Sequence, residues 1–426
     1  MTNPPAKEQP EEQPPPEEQP PADATGIDAT GVDYAYFLVS GTPGRNDTRR
    51  KQYLTLSPGP HTLTVAGGLS LPFRVNEAHE VAYDHSLDPI LSGSGTKTLA
   101  LRGMPVTVNV SDVDYANLTI YGVTMRPAAP THTYRLLPGR NLVQTNTTLF
   151  VPFTVTPDGQ VTYTSPWDRV LSGTGTSTLA VHGLSVTVNV SDVDYGNLTV
   201  WGVAWRAAAP THTYKLLPGK QNVYTNTSLW VPFTVDFDAH VSYEAPWDRV
   251  LSGTGTTTLA VHGLSVTVNV SDVDYANLTV WGIAMRPAAP THTYKLLPGK
   301  QNVYTNTGLW IPFTLDLNGH ITYEAPWDRV LTGAGTASLA VHGFAVTVDA
   351  RDSGYARVGV GGVGSWPATE LRVVRLVPGP HRLGVAPRRE FTFTVDSAGQ
   401  VDYDHGLDDV LGGRGSAVLT VRRPRG

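Results

Sequence analysis

Ser-Asp-Val-Asp-Tyr occurs three times, at 111–115, 191–195 and 271–275, and places two carboxylates two residues apart each time. The pairs are Asp112 with Asp114, Asp192 with Asp194, and Asp272 with Asp274. Carboxylates flanked by hydroxyl and carbonyl oxygens are the ligands of calcium, which takes six to eight oxygens. Calcium is therefore the one cofactor this chain raises. The competing reading is an aspartate that hydrogen-bonds its own turn backbone. The outer copies favour the second reading, because the first keeps only Asp33 and the last runs Arg351-Asp352-Ser353-Gly354-Tyr355.

Pro-Trp-Asp-Arg, at 166–169, 246–249 and 326–329, is the second candidate. Trp167, Trp247 and Trp327 lie in a turn-rich stretch beside Arg169, Arg249 and Arg329, so they are the tryptophans expected to face solvent. An exposed indole offers a flat apolar face and one N–H, which suits a sugar ring or a protein partner. The other tryptophans, among them Trp201, Trp205, Trp230, Trp281, Trp310 and Trp366, are expected in the core or between repeats.

Histidine does not build a catalytic centre at this level. His182, His262 and His342 are matched by Arg102 and Arg422 in the outer copies, so nothing is singular. A catalytic site needs nucleophile, base and orienting acid to converge in one cleft. P-loop, Gly-x-Ser-x-Gly and His-Glu-x-x-His signatures are missing from the sequence. The expectation is a protein that is not an enzyme.

These motifs are carried by a repeat. Pro58-Gly59 returns at Pro138, Pro218, Pro298 and Pro378, a period of 80 residues held without slippage. Phe73, Tyr83 and Asp88 recur with it, and so do the glycines of Gly93-x-Gly95. A fixed period means one folding unit copied along the chain. Phe73 and its copies are expected on a buried strand face, the glycines at positive φ or close backbone approaches, and the Asp88 set capping backbone N–H groups. Alternation such as Val106-Thr107-Val108-Asn109-Val110 has the period of a strand, and Phe153-Thr154-Val155 turns through Pro157-Asp158-Gly159 into a hairpin.

About seven short strands per unit predict an all-β fold of five tandem ~80-residue antiparallel β-sandwich-like repeats in a linear array. The expected divisions are a Pro/Glu/Gln-rich tail over 1–25 and repeats over 26–103, 104–183, 184–263, 264–343 and 344–426, the outer two cap-like. Phasing the repeat instead at Arg126-Pro-Ala-Ala-Pro and its counterparts from 206 and 286 leaves a partial unit at each end. Those two pieces, 26–42 and 371–422, would combine in a closed five-unit ring, which is the alternative architecture.

The net charge is -6, but residues 1–24 hold five Glu and one Asp against one Lys, so the repeats are nearly neutral and no basic face invites nucleic acid. With no cysteine, disulfides and thiolate metal sites are excluded. No stretch approaches 18 apolar residues, so no membrane span is expected. The start has no apolar leader, which leaves the compartment open between the cytoplasm and export by a route that needs none. The functional expectation is a non-catalytic structural spacer, stalk or assembly subunit with a protein partner or with itself. The alternative is a multivalent glycan-binding or adhesion protein using exposed tryptophan.

Overall fold

The computed structural model describes residues 21, 23–123, 130–203, 209–283, 290–387 and 389–423. Most of the expected tail, most of the linker-like segments and Trp205 lie outside the described residues. The second period shows how the sequence folds. Its strands are Met104–Asp112, Leu118–Ile120, Thr131–Leu136, Gly139–Thr145, Phe150–Val155, Val161–Thr162, Leu171–Ser172 and Thr178–His182, eight where about seven were expected. Strand alternation sends Val106, Tyr134, Leu136, Leu179 and Val181 inward from one sheet and Ile120, Val143, Val151, Phe153 and Val161 from the other. Phe153 and its copies Phe73, Phe233, Phe313 and Phe393 are all buried, and each stabilises its sandwich by about 1.5–3 kcal/mol through lost apolar exposure.

The first sheet of this period has the order Thr131–Leu136, Met104–Asp112, Thr178–His182, Leu171–Ser172, and the second runs Leu118–Ile120, Gly139–Thr145, Phe150–Val155, Val161–Thr162. Each sheet of the chain takes its strands from a single 80-residue period, and in the first and last periods the second sheet has five strands. The chain is an all-β tandem repeat protein. Strands from the first and last periods share no sheet among the described residues. The chain divides into two compact units, one of Met1–Ser111 with Asn117–Val181 and one of Asp112–Ala116 with His182–Gly426.

One pairing departs from the antiparallel expectation. The opening strand Leu184–Asp192 and closing strand Thr258–His262 run parallel, Val188 opposite Leu259, and the same holds for Leu264–Asp272 with Ser338–His342. A parallel neighbour needs a long crossover. Here the crossover holds the whole second sheet and the two edge strands of the first, which the chain builds before returning beside its starting strand.

The glycine pair behaves as two different positions. Gly253 has φ +105°, and a Cβ there would lie 1.9 Å from the Thr258 carbonyl oxygen, whereas Gly255 has φ +77° and open space around it. In the outer copies the N-cap is not the residue expected. Asp88 and Asp408 close their 3-10 turns, while the N–H groups at the turn starts are taken by Asp84, from Ser86 at 2.8 Å, and by Asp404, from Gly406 at 2.7 Å. A carboxylate at the end of a turn faces carbonyls rather than free N–H groups, and Asp88 lies 3.3 Å from His85 Nδ1 instead.

Candidate functional site: joints and aromatic faces

The paired aspartates are split between two tasks. Asp192 ends its opening strand just after a register shift, with one carboxylate oxygen 3.3 Å from His262 Nδ1 and the other 3.6 Å from Lys295 Nζ. Asp112 meets His182 at 3.3 Å and Lys215 at 3.7 Å, and Asp272 meets His342 and Arg375, both at 3.0 Å. The second aspartate enters the loop and clamps backbone of the next repeat. Asp114 accepts the Lys215 N–H, Asp194 the Lys295 N–H and Asp274 the Arg375 N–H, each at 2.8 Å. Asp33 does the same with Arg135 N–H. In this structure the oxygens of these pairs face N–H donors and cations. Among the described residues no three His, Cys, Asp or Glu side chains gather as a metal-binding group.

The tyrosine after the clamp completes a joint. Tyr195 is buried, its hydroxyl accepts the Leu297 N–H at 3.2 Å and donates to Gln301 Oε1 at 3.1 Å, and the following Gly196 N–H bonds the Gly282 carbonyl at 2.8 Å. Tyr115 accepts the Leu217 N–H and an amide N–H of Gln221, Tyr34 accepts the Leu137 N–H and donates to Asn141 Oδ1, and Tyr275 accepts the Val377 N–H. Burial pushes the Tyr115 hydroxyl up to about 12 and raises those of Tyr34, Tyr195 and Tyr275. All four stay neutral hydrogen-bonding groups. Sequence reasoning assigned no role to this residue, although it persists in all five copies where the first aspartate does not.

In the last joint a histidine replaces the amide. His381 is buried, stacks at 6.2 Å on Tyr275 and 5.4 Å from Phe393, and bonds the Val377 carbonyl through Nε2 at 2.9 Å. Burial pushes its imidazole down to about 4 from the usual 6.5. A depressed histidine contributes stability that is full above about 6.5 and is lost as pH falls toward about 4, because the unfolded chain takes up the proton first. The fifth repeat should therefore lose about 3 kcal/mol across that window. His381→Gln, which copies Gln221 and Gln301, should flatten the pH dependence in thermal melts. Identical profiles for both proteins would rule out His381 as the titrating group.

Tryptophan exposure also differs from expectation. Trp167, Trp247 and Trp327 begin one-turn 3-10 helices and are half-buried, while Arg169, Arg249 and Arg329 at the turn ends are exposed, Arg329 donating to the Ser397 carbonyl at 3.3 Å. The more open rings are Trp201 (40%), Trp230 (42%), Trp281 (40%) and Trp310 (42%) on the outer face of the second sheet, so the candidate aromatic surface moves there. In the third repeat Trp201 lies 4.6 Å from Trp230 and 5.2 Å from Tyr224, and Tyr224 lies 4.8 Å from Trp230. The fourth repeats this with Trp281, Trp310 and Tyr304 at 4.5, 5.2 and 5.0 Å. In the second repeat only Tyr121 and Phe150 remain, 5.6 Å apart. The missed signal was alternation: with Val223 and Thr225 buried, Tyr224 and its cross-strand partner Trp230 point outward.

The histidines form one further arrangement. Ser252 Oγ lies 2.7 Å from His262 Nε2, whose Nδ1 is 3.3 Å from Asp192, and Thr332, His342 and Asp272 repeat it at 3.0 and 3.0 Å. The residue types and order are those of a hydrolase triad. The setting differs, because the Asp192 and His262 side chains are 44% and 43% exposed and the carboxylate is shared with Lys295. Water and a cation compete for the acid that would have to hold the imidazolium.

Among the described residues no helix is long and apolar enough to cross a membrane. No family model matches the chain, and no curated protein matches it. Among solved structures it is similar to the pilus adhesin SpaC from Lactobacillus rhamnosus GG, at 13% identity and a TM-score of 0.20 over 76% of this chain and 43% of that one. It is also similar to SpaC in an open conformation, at 12% and 0.16 over 75% and 56%. A third likeness is to the Bacillus anthracis TIE protein, at 9% and 0.13 over 77% and 70%. The chain spans less than two thirds of the length of both adhesin structures.

Proposed function

We propose that the chain is a non-catalytic, multivalent binding protein whose jointed sandwiches hold aromatic faces against a glycan. The observation that carries this reading is the in-register pair of exposed clusters, Trp201/Tyr224/Trp230 and Trp281/Tyr304/Trp310. Indole faces stack on the C–H surfaces of sugar rings, and each contact is weak alone. Two clusters on one chain multiply that weak affinity when both engage the same surface. The joints supply the spacing: each of the first four repeats seats a tyrosine in the next, so the faces recur on a coupled frame, which retains the spacer role within the binding one.

Retention on insoluble polysaccharides tests the proposal. Trp230→Ala alone should weaken binding about tenfold, and Trp230→Ala with Trp310→Ala should abolish it, because both clusters then lack a ring. Undiminished binding by the double variant, or no glycan binding by the parent chain, would refute the glycan reading. Loss of a chain–chain association in light scattering instead would assign the faces to a protein partner. The non-catalytic half is tested separately: a fluorophosphonate should leave Ser252 unlabelled, and stoichiometric labelling would overturn it.

A further inference from the structure

In the fifth repeat the face that carries aromatics in the third and fourth becomes a groove of about 1000 Å³. Gly361, Gly384 and Glu390 stand 80 residues beyond Trp281, Tyr304 and Trp310. Gly384 lies opposite Glu390 across its strand pair as Tyr304 lies opposite Trp310. Replacing three rings by two glycines and Glu390 leaves bare backbone at Gly361 and Gly384, which polar ligands can approach closely. The volume is at the upper end of the roughly 300–1000 Å³ usual for ligand sites.

The lining of this groove is cationic. Arg357, Arg382 and Arg389 face a single carboxylate, that of Glu390. Arg357 is pre-positioned, donating through Nη2 to the Ser365 carbonyl at 2.8 Å and hydroxyl at 3.1 Å. Arg382 approaches Glu390 only at 3.8 Å, with both side chains largely exposed, and such a pair is weak. Anchored guanidiniums match carboxylate and sulfate oxygens bidentately. Asn306 of the fourth repeat bonds the Gly362 carbonyl at 3.4 Å and closes one end.

We propose that this groove binds an acidic polysaccharide, its carboxylate or sulfate groups held by Arg357, Arg382 and Arg389 while its rings lie on the glycine floor. The site is independent of the aromatic faces. Nothing lies within 4 Å of a Cβ added at Gly384, and the equivalent Tyr304 shows that the fold accepts an aromatic there. Gly384→Tyr therefore fills the groove without disturbing the core.

Calorimetric titration of the full chain at low salt tests the site, with polygalacturonate supplying carboxylates, dextran sulfate supplying sulfates and dextran as the neutral control. With Trp230→Ala and Trp310→Ala in place, at least one acidic polymer should bind and dextran should not, and the two arms tell which anion is read. Gly384→Tyr should lower that affinity at least tenfold and Arg382→Gln about fivefold, with the thermal midpoint unchanged. Trp230→Ala with Trp310→Ala should leave it intact, which separates this site from the aromatic faces. Binding of neither acidic polymer, or binding that survives Gly384→Tyr, overturns the proposal. So does equal binding of a single-stranded DNA oligonucleotide, which would reduce it to unselective polyanion contact.

Discussion

Replacing Tyr195 with alanine should cost the joint between the third and fourth repeats about 4 kcal/mol, the usual range for emptying a buried aromatic site. The ring is buried, and its hydroxyl satisfies both the Leu297 N–H and Gln301. Truncation therefore opens a cavity and strands two polar partners together. Tyr195→Phe keeps the volume and removes only the hydrogen bonds, so it should cost about 1–2 kcal/mol. Hydrogen exchange reads this locally, since the amides of Asp194, Gly196 and Leu297 all bond across the joint. Their protection should fall about a thousandfold in the alanine variant, the equivalent of that 4 kcal/mol. Tyr355→Ala is the internal control, because Tyr355 follows Gly354 instead of aspartate and its hydroxyl bonds no neighbouring repeat. Unaltered protection in Tyr195→Ala would mean that the aspartate clamp alone holds the joint.

Gly253→Ala should destabilise its repeat by about 3 kcal/mol or more, combining positive-φ strain with a steric overlap. The added methyl would lie 1.9 Å from the Thr258 carbonyl, and that carbonyl is backbone of the closing strand, so it cannot swing aside. Gly255→Ala, two residues on, meets nothing within 4 Å and should cost only the backbone strain of about 1–2 kcal/mol. Chemical denaturation of the two variants makes the comparison. Equal losses would show that φ alone dictates both glycines.

The sequence displayed the scaffold more openly than the surface. The period, the buried phenylalanines and the hairpin at Pro157-Asp158-Gly159 follow from spacing and alternation, both local properties. Two features were hidden because they depend on pairing between distant segments. The parallel contact of Leu184–Asp192 with Thr258–His262 joins strands separated by a whole sheet, and no local pattern encodes it. The tyrosine joints use partners about 100 residues away, so nothing local in Ser-Asp-Val-Asp-Tyr shows that its second aspartate and its tyrosine serve the next repeat. The aromatic faces were legible but misjudged. Proximity to Pro and Arg drew attention to Trp167, whereas strand alternation around Tyr224 and Trp230 was the better guide to exposure.

The parallel strands at the two ends of the third and fourth repeats have a mechanical consequence. Tension on the chain pulls Leu184–Asp192 and Thr258–His262 in opposite directions along their shared ladder, so the load is shear and the rungs must rupture together. A hairpin pulled from its open end unzips one rung at a time at low force. A tethered molecule built this way should yield in discrete, high-force steps, one for each of these repeats.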